Sequence, residues 1–538
     1  MLLPRTESRT GEESIRNSRS IVALALLMVV AFALRAASFR VSVIDWDESL
    51  YLVMVQRWLQ GGLPYVSIWD QHPIGLPALL LVPTWLGCDA LLAARVAGTL
   101  AVAATATVLY LFGARLLSRP SVGLLAGIMY IIYMNRYQSL PANTELFTNL
   151  LVASAAYILW RVAMTAASAG RLRTGSVCAA GLMLGLGLQF KYSVLPETVF
   201  LCSGLLLLAF LWWVPWRQVL GHGLLLIVAG LIPTGVVILY CWSAGILSAF
   251  LDANIAANAA YISVLPDTYQ LLDGLRRGAA PLLPLVFGGA IGLALGWRIR
   301  RTEPWVAAAL AWVVLWLVAA GLDVVLPLKF WPHYFNTLIP PLCLPAAFAV
   351  VSVAQQSGRS SAISTGSLAL VLLVPAAYGA AADITKVRQR TLHDVPRLVA
   401  DRIAASGKIG TVYVFNYEPI IYYLADAPPP TRYVLLPADI TARELTADVR
   451  RIMSLRPSYI VVTDSPVVFF PPEVRDIVKG ELAKIYVLDS EFIDSMTAEH
   501  VRLYVAGNTG LDSDWSIPLK SSPRSGGLGA LMTVWHQH

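Results

Sequence analysis

Runs of about twenty apolar residues recur from Ile21 to about residue 382, and nothing else in the chain restricts its fold as strongly. In a bilayer every backbone N–H and C=O has to be satisfied inside the segment, so each run reads as a helix long enough to cross the hydrocarbon core. Beginning with Ile21–Phe39, spans fall near 90–114, 121–138, 145–163, 175–190, 194–214, 219–242, 279–297, 305–328, 335–354 and 363–382, about eleven in all. With 57% apolar residues, 14% charged residues and a mean hydropathy of +0.64, the composition excludes an ordinary water-soluble enzyme. The expected fold class is a mostly α, polytopic membrane protein.

Charge placement sets the expected orientation. The net charge of +7 comes from Lys and Arg in short connections between spans, so it reports positive-inside bias and gives no reason to expect a nucleic-acid partner. Arg115 with Arg119, Arg161 with Arg171 and Arg173, Arg217, Arg298 with Arg300 and Arg301, and Arg359 all fall on one side, together with a polar N-terminal tail at 1–20. That side is read as cytoplasmic. A cleaved signal peptide is the rival reading of the N-terminus, but the many spans that follow favour a retained first helix. The opposite side receives a first outer loop at 40–89, the Asn135–Glu145 connection, the Lys191 turn, the Phe250–Arg277 loop, the Lys329–Phe335 turn and everything after about Asp383. The apolar run His72–Gly87 reads as an interfacial or re-entrant piece of the first outer loop, because a full span there would reverse the later alternation.

The expected domains are therefore a membrane domain at 21–382 and an extracytoplasmic α/β domain at 383–511, followed by a Ser-, Gly- and Pro-rich tail at 512–538 read as disordered. In the α/β domain, strands are expected at Thr411–Phe415, Arg432–Leu436 and Tyr459–Thr463, with an amphipathic helix at Ala442–Leu455. No glycine fingerprint follows these strands, so no nucleotide cofactor is expected. The five cysteines, Cys88, Cys178, Cys202, Cys241 and Cys343, are widely spaced and suggest neither a disulfide framework nor a zinc site.

Chemistry concentrates in Val43–Leu81. Asp45, Asp47 and Glu48 lie together there, with Asp70 and His72 following. Acids held beside a bilayer usually face protein or a water-filled cavity and mark a functional site. Tyr51, Val55, Trp58 and Leu59 follow at helical spacing, which predicts an amphipathic helix along the interface with the acids at its start, where the helix dipole favours negative charge. A lipid-linked substrate would need cations for its phosphate and a carboxylate at the reacting centre. Lys191, Arg276, Arg277, Lys329 and His333 supply cations or donors on the same expected side, against the simpler reading of residues snorkelling from helix ends. Lys329, His333 and Tyr334 share one short turn, KFWPHYF. A divalent metal held by His72, His333 and Asp47 is left open, since their spacing does not demand it.

DWDESLY at Asp45–Tyr51, GGLPYVSIWDQHPIG at Gly61–Gly75, NTELF at Asn143–Phe147, FKYSVLP at Phe190–Pro196 and HYFNTLIPP at His333–Pro341 resemble, in this order, the protein O-mannosyltransferases and the lipid A aminoarabinose or galacturonosyl transferases. These are GT-C-fold glycosyltransferases that use polyprenyl-phosphate sugars. The resemblance spans roughly residues 20–380, and Tyr413–Val434 also looks like the extracytoplasmic domain of bacterial members. It implies a GT-C-like membrane domain, a polyprenyl-phosphate sugar donor, a lipid, glycan or protein acceptor, and a site on the outer face of the cytoplasmic membrane. It places the catalytic acid on the Asp47–Glu48 pair; Asp45, Asp70, His72, Lys191, Lys329, His333 and Tyr334 are read from the residues themselves as substrate-binding. His72 stands where Lys often precedes the proline of this motif, and Ile74 where a second proline is common. A transporter or flippase is the alternative from another class, but paired halves with broken midplane helices are not evident. A structural subunit of an envelope complex is a third.

Overall fold

The structure, a computed structural model, describes residues 10–212, 214–356, 359–406, 410–437, 440–463, 470–494 and 498–507. The expected tail at 512–538 and most of the N-terminal tail lie outside these residues, or have side chains that do. Among the described residues, nine helical segments are long and apolar enough to cross a membrane, from Ser20–Phe39 to Ser361–Ala405. Two shorter apolar helices, Pro120–Tyr133 and Thr174–Leu188, occupy the positions of the remaining sequence-predicted spans. A third, Gly75–Trp85, has 11 residues, too few for a crossing, and occupies the expected interfacial stretch. The fold is that of a multi-pass membrane protein.

Small residues let these helices approach closely. A Cβ on Gly292 would lie 1.9 Å from the Pro345 carbonyl oxygen, and one on Gly185 would lie 2.0 Å from that of Gly230. The pairs 283–298 with 339–354, and 174–188 with 216–243, are thereby drawn together. Gly75 does the same for the site. Its N–H donates to the Gln189 carbonyl at 2.7 Å, and an added Cβ would lie 2.2 Å from that oxygen. This contact ties the GGLPYVSIWDQHPIG loop to the turn that presents Lys191. Gly75→Ala is therefore expected to cost about 1–3 kcal/mol through overpacking against rigid backbone. A fall in apparent Tm of the detergent-solubilised protein would register it, and an unchanged Tm would mean that the two segments are not clamped.

Beyond the last apolar helix, Arg359–Leu392, the chain forms a four-stranded sheet of β1 (Val412–Phe415), β2 (Tyr459–Thr463), β3 (Tyr486–Ile493) and β4 (His500–Ala506), in the order β1-β2-β4-β3. β1 and β2 are parallel, while β4 runs antiparallel to both its neighbours. Two strand expectations and the helix at Ala442–Ser454 hold. The strand expected at Arg432–Leu436 does not form: prolines at 428–430 and 437 flank the segment, and its Arg432 carbonyl instead accepts from Trp69 N–H at 2.8 Å. β3 and β4 were not expected. The exposed edge strand β3 carries Asp489 and Glu491 facing water, and those charges interrupt its apolar pattern.

The 40–89 loop packs against this domain. Leu50, Val53, Met54 and Ile68 share one apolar core with Val395, Val399, Val412, Ile421 and Leu503. Ser42 donates to the Asp394 carboxylate through both backbone N–H and hydroxyl, and Gln56 donates to Asp426 at 2.8 Å.

Candidate active site

Helix Trp46–Leu59 begins where the sequence places it, capped by Asp45, whose carboxylate accepts from Asp47 N–H at 2.9 Å. Asp47 and Glu48 occupy its first turn, where unpaired N–H groups favour negative charge. Over its first turns the helix has no wet face of the kind expected of an amphipathic helix. Residues 48–55 are all buried, because the α/β domain covers the side that would otherwise meet solvent.

Glu48 turns away from Asp47 into a buried ion pair with Arg95, and its other oxygen accepts from Ala142 N–H at 2.8 Å. Arg35 lies beside this pair and donates to the carbonyls of Met134, Ser139 and Leu140 at 2.9, 2.9 and 2.7 Å. Two membrane helices and the 134–142 connection thus converge on the second residue of the acid pair. Neither arginine was singled out in the sequence, although a cation inside an apolar span is a recognised signal of a special site.

Three further segments face Asp45 and Asp47. Asp70 accepts from His72 Nδ1 at 2.6 Å and from His72 N–H at 2.9 Å, and the Tyr51 ring meets His72 edge-on with centroids 5.8 Å apart. Lys191 Nζ donates to Glu145 at 2.6 Å and sits 3.7 Å from the centroid of the Tyr334 ring, an ion pair combined with a cation–π contact. His333 Nε2 lies 3.9 Å from the same Glu145 oxygen. Asp47 feels the charges of His72, Asp70, Glu145 and Lys191, and Asp45 those of Asp47 and His333. Glu145, from NTELF, is the residue that links these cations, a role not assigned from the sequence.

Lys329 is placed differently. It is fully buried, donates to the Val264 carbonyl and lies 4.5 Å from the Tyr261 ring centroid, so it fastens the 257–268 segment. Burial lowers its amine to about 8. Arg277 pairs with Asp273 at 2.6 Å, and Arg276 is exposed. Among the described residues, no three His, Cys, Asp or Glu side chains are grouped so as to hold a metal.

The protonation pattern follows from burial and neighbours. Burial raises Asp45 to about 7, with the charge of Asp47 adding to it, and burial likewise raises Asp47 against the opposing pull of His72. Burial would lower His72, but the Asp70 carboxylate outweighs it and the imidazole rises to about 9. Near neutral pH, His72 is a cation beside acids that share the remaining negative charge. For a reaction that needs an ionised Asp47 and a protonated His72, kcat/KM rises with pH as Asp47 ionises, above the usual carboxylate range because of its burial, and falls again through about 9. His72→Gln should remove the alkaline limb and leave the acid limb. An alkaline limb that survives the substitution would assign it to another group.

No protein-family model matches the chain, and no curated protein does. Solved structures do. ArnT from Cupriavidus metallidurans bound to undecaprenyl phosphate superposes with a TM-score of 0.58 at 15% identity, covering 91% of this chain and 99% of that one. Its apo form gives 0.55 at 13%, covering 92% and 100%. The archaeal oligosaccharyltransferase AglB from Archaeoglobus fulgidus, in complex with an inhibitory peptide and a dolichol-phosphate, gives 0.54 at 10%, covering 94% and 75%. At these identities the likeness concerns the fold, and the chain has the GT-C-like architecture expected from its motifs, a helical membrane domain carrying a small α/β domain.

Proposed function

We propose that this protein is a glycosyltransferase that moves a sugar from a polyprenyl-phosphate donor to a lipid, glycan or protein acceptor, with inversion, at the outer face of the cytoplasmic membrane. One observation carries the reading: Asp47, in the first turn of a helix, faces a histidine and a lysine brought from separate turns, each held by its own carboxylate. Neighbours of the same fold were captured with undecaprenyl phosphate and with a dolichol-phosphate, which supports a prenyl-phosphate donor.

In this reading the acceptor oxygen attacks the anomeric carbon, the carbon–oxygen bond to phosphate breaks, and the prenyl phosphate leaves with the electron pair. Asp47 takes the acceptor proton or, for an acceptor already ionised, stabilises the oxocarbenium-like transition state. Glu48, locked by Arg95, fixes the helix turn that aims Asp47. His72, Lys191, His333 and Tyr334 stand where charge grows on the leaving phosphate, and Lys329 shapes the wall beside them.

The test is turnover in nanodiscs with a panel of polyprenyl-phosphate hexoses and pentoses and extracted envelope acceptors, read as release of free polyprenyl phosphate. Release with sugar transfer is expected for one donor. Translocation of the intact lipid across liposomes without release would favour a flippase. Mass spectrometry of envelope lipids and glycans from a deletion strain would then identify the sugar and its acceptor together.

A further inference from the structure

The KFWPHYF turn carries an indole, Trp331, that the transfer step does not touch. Leu328 and Phe330 just before it are both held at a φ of 54°, a left-handed backbone that bulky side chains rarely adopt and that clusters at functional sites. This turn delivers the Trp331 N–H to the Tyr261 hydroxyl, to which it donates at 2.6 Å. Tyr261 comes from a separate connection, helix Ala257–Ser263, and that connection is fixed at several points. Asn258 donates to the Gln71 carbonyl at 2.8 Å, Lys329 donates to the Val264 carbonyl, and a Cβ on Gly274 would lie 2.1 Å from the Phe330 oxygen. The Tyr261 hydroxyl is thereby set within hydrogen-bonding reach of the Tyr334 hydroxyl. Tyr334 in turn carries Lys191 on its ring face and feels the charges of Glu145 and Asp47.

Donor and acceptor chemistry gives this chain of groups one direction. An indole nitrogen only donates, so the Tyr261 oxygen accepts and its own proton goes elsewhere. Among the described residues, the other polar groups set against Tyr261 are the Lys329 ammonium, 4.5 Å from its ring centroid, and the Tyr334 hydroxyl. Of these two, only the hydroxyl can accept. Tyr334 therefore receives a hydrogen bond from Tyr261 and turns its own O–H toward the acids and Lys191. Hydrogen bonds that run head to tail polarise one another, which makes the last O–H a stronger donor to an anion.

We infer that Tyr261 is a positioning residue which, through Tyr334, aims a hydroxyl donor at an oxygen of the leaving prenyl phosphate. The inference rests on the transfer reading above. No proton changes hands in this relay. The last hydrogen bond tightens as charge grows on the phosphate, so the relay acts on kcat more than on donor binding.

Tyr261→Phe tests it, because the change deletes the hydroxyl and keeps the ring beside Lys329. In nanodiscs, with the lipid-linked sugar that the wild type turns over, Tyr334→Phe should lower kcat about tenfold, as loss of a hydrogen bond to a charged group does. Tyr261→Phe should lower kcat about fivefold and leave donor KM within about twofold of wild type. Trp331→Phe should act in the same direction, and it serves as the second variant if Tyr261→Phe folds poorly. On the Tyr334→Phe background, Tyr261→Phe should cost less than about twofold more, since it works only through that hydroxyl. Additive losses, or wild-type kcat in both Tyr261→Phe and Trp331→Phe, would overturn the relay. Phosphorus NMR of undecaprenyl phosphate bound to the full chain separates the relay from the transfer reading. Its resonance is expected to move with Tyr261→Phe and with Tyr334→Phe, and no further in the double variant. A resonance that Tyr261→Phe leaves in place would overturn the relay even where transfer is intact. The expected movements in a chain that transfers no lipid-linked sugar would support the relay at a phosphate site and overturn the transfer reading, and a wild-type chain that binds no undecaprenyl phosphate would overturn both.

Discussion

Asp47→Asn is expected to lower kcat by at least about a thousandfold, roughly 4 kcal/mol of transition-state stabilisation, with membrane insertion and apparent Tm close to wild type. The substitution keeps the shape at the second helical position and removes the charge that His72 and Lys191 face. Asp45→Asn is the informative contrast. Its side chain caps the helix through a carboxylate oxygen that accepts from Asp47 N–H, and an asparagine carbonyl caps nearly as well. Its loss should stay within about tenfold, as expected for a residue that positions another rather than reacting. Single-turnover kinetics on both variants decide the register. If Asp45→Asn were the dead enzyme and Asp47→Asn the active one, the reacting carboxylate would be the cap.

Arg95→Ala carries the largest expected cost in stability. It would strand the Glu48 carboxylate, 2% exposed, with one backbone N–H donor and the charge of the neighbouring Arg35, itself committed to backbone carbonyls. Breaking a buried pair by removing one partner typically costs about 3–5 kcal/mol, because the remaining charge is left uncompensated. The apparent Tm in detergent should fall sharply, and activity at permissive temperature should fall with it as the first turn loosens around Asp47. Replacing both partners, Arg95→Met with Glu48→Leu, should recover much of the stability and little of the activity. Equal Tm values for wild type and Arg95→Ala would show that the pair does not hold the helix start.

Much of this site was legible because its acids sit in a loop where composition makes them conspicuous. Asp45, Asp47 and Glu48 stand out against apolar neighbours, and DWDESLY states both the cap and the charged first turn. Lys191 and His333 were visible as outer-side cations, but their common partner Glu145 was not, since a single acid at the start of an apolar span also reads as an ordinary helix N-terminus. Arg35 and Arg95 were hidden for another reason. Their partners are backbone carbonyls and one carboxylate as much as 105 residues away in sequence, a relation that no local pattern encodes. Lys329 shows the converse: sequence groups it with His333, yet its ammonium extends the other way, to Val264. In the α/β domain, β1 and β2 were legible as apolar runs, whereas Arg432–Leu436 has strand composition but lies between prolines that end any ladder.

The shared core of the first outer loop and the α/β domain has a bearing on how such proteins can be recombined. Leu50, Val53, Met54 and Ile68 are four of the eighteen buried residues of a single apolar cluster whose other members, among them Val395, Val412, Ile421 and Leu503, belong to the α/β domain, so the loop buries these side chains against that domain. A chimaera that grafts a foreign C-terminal region onto this membrane portion would inherit mismatched side chains on the helix that begins at Asp45 and Asp47. Exchange of acceptor preference between relatives is therefore expected to require joint inheritance of the 46–68 and 395–505 segments, which behave as one heritable block despite the more than three hundred residues between them.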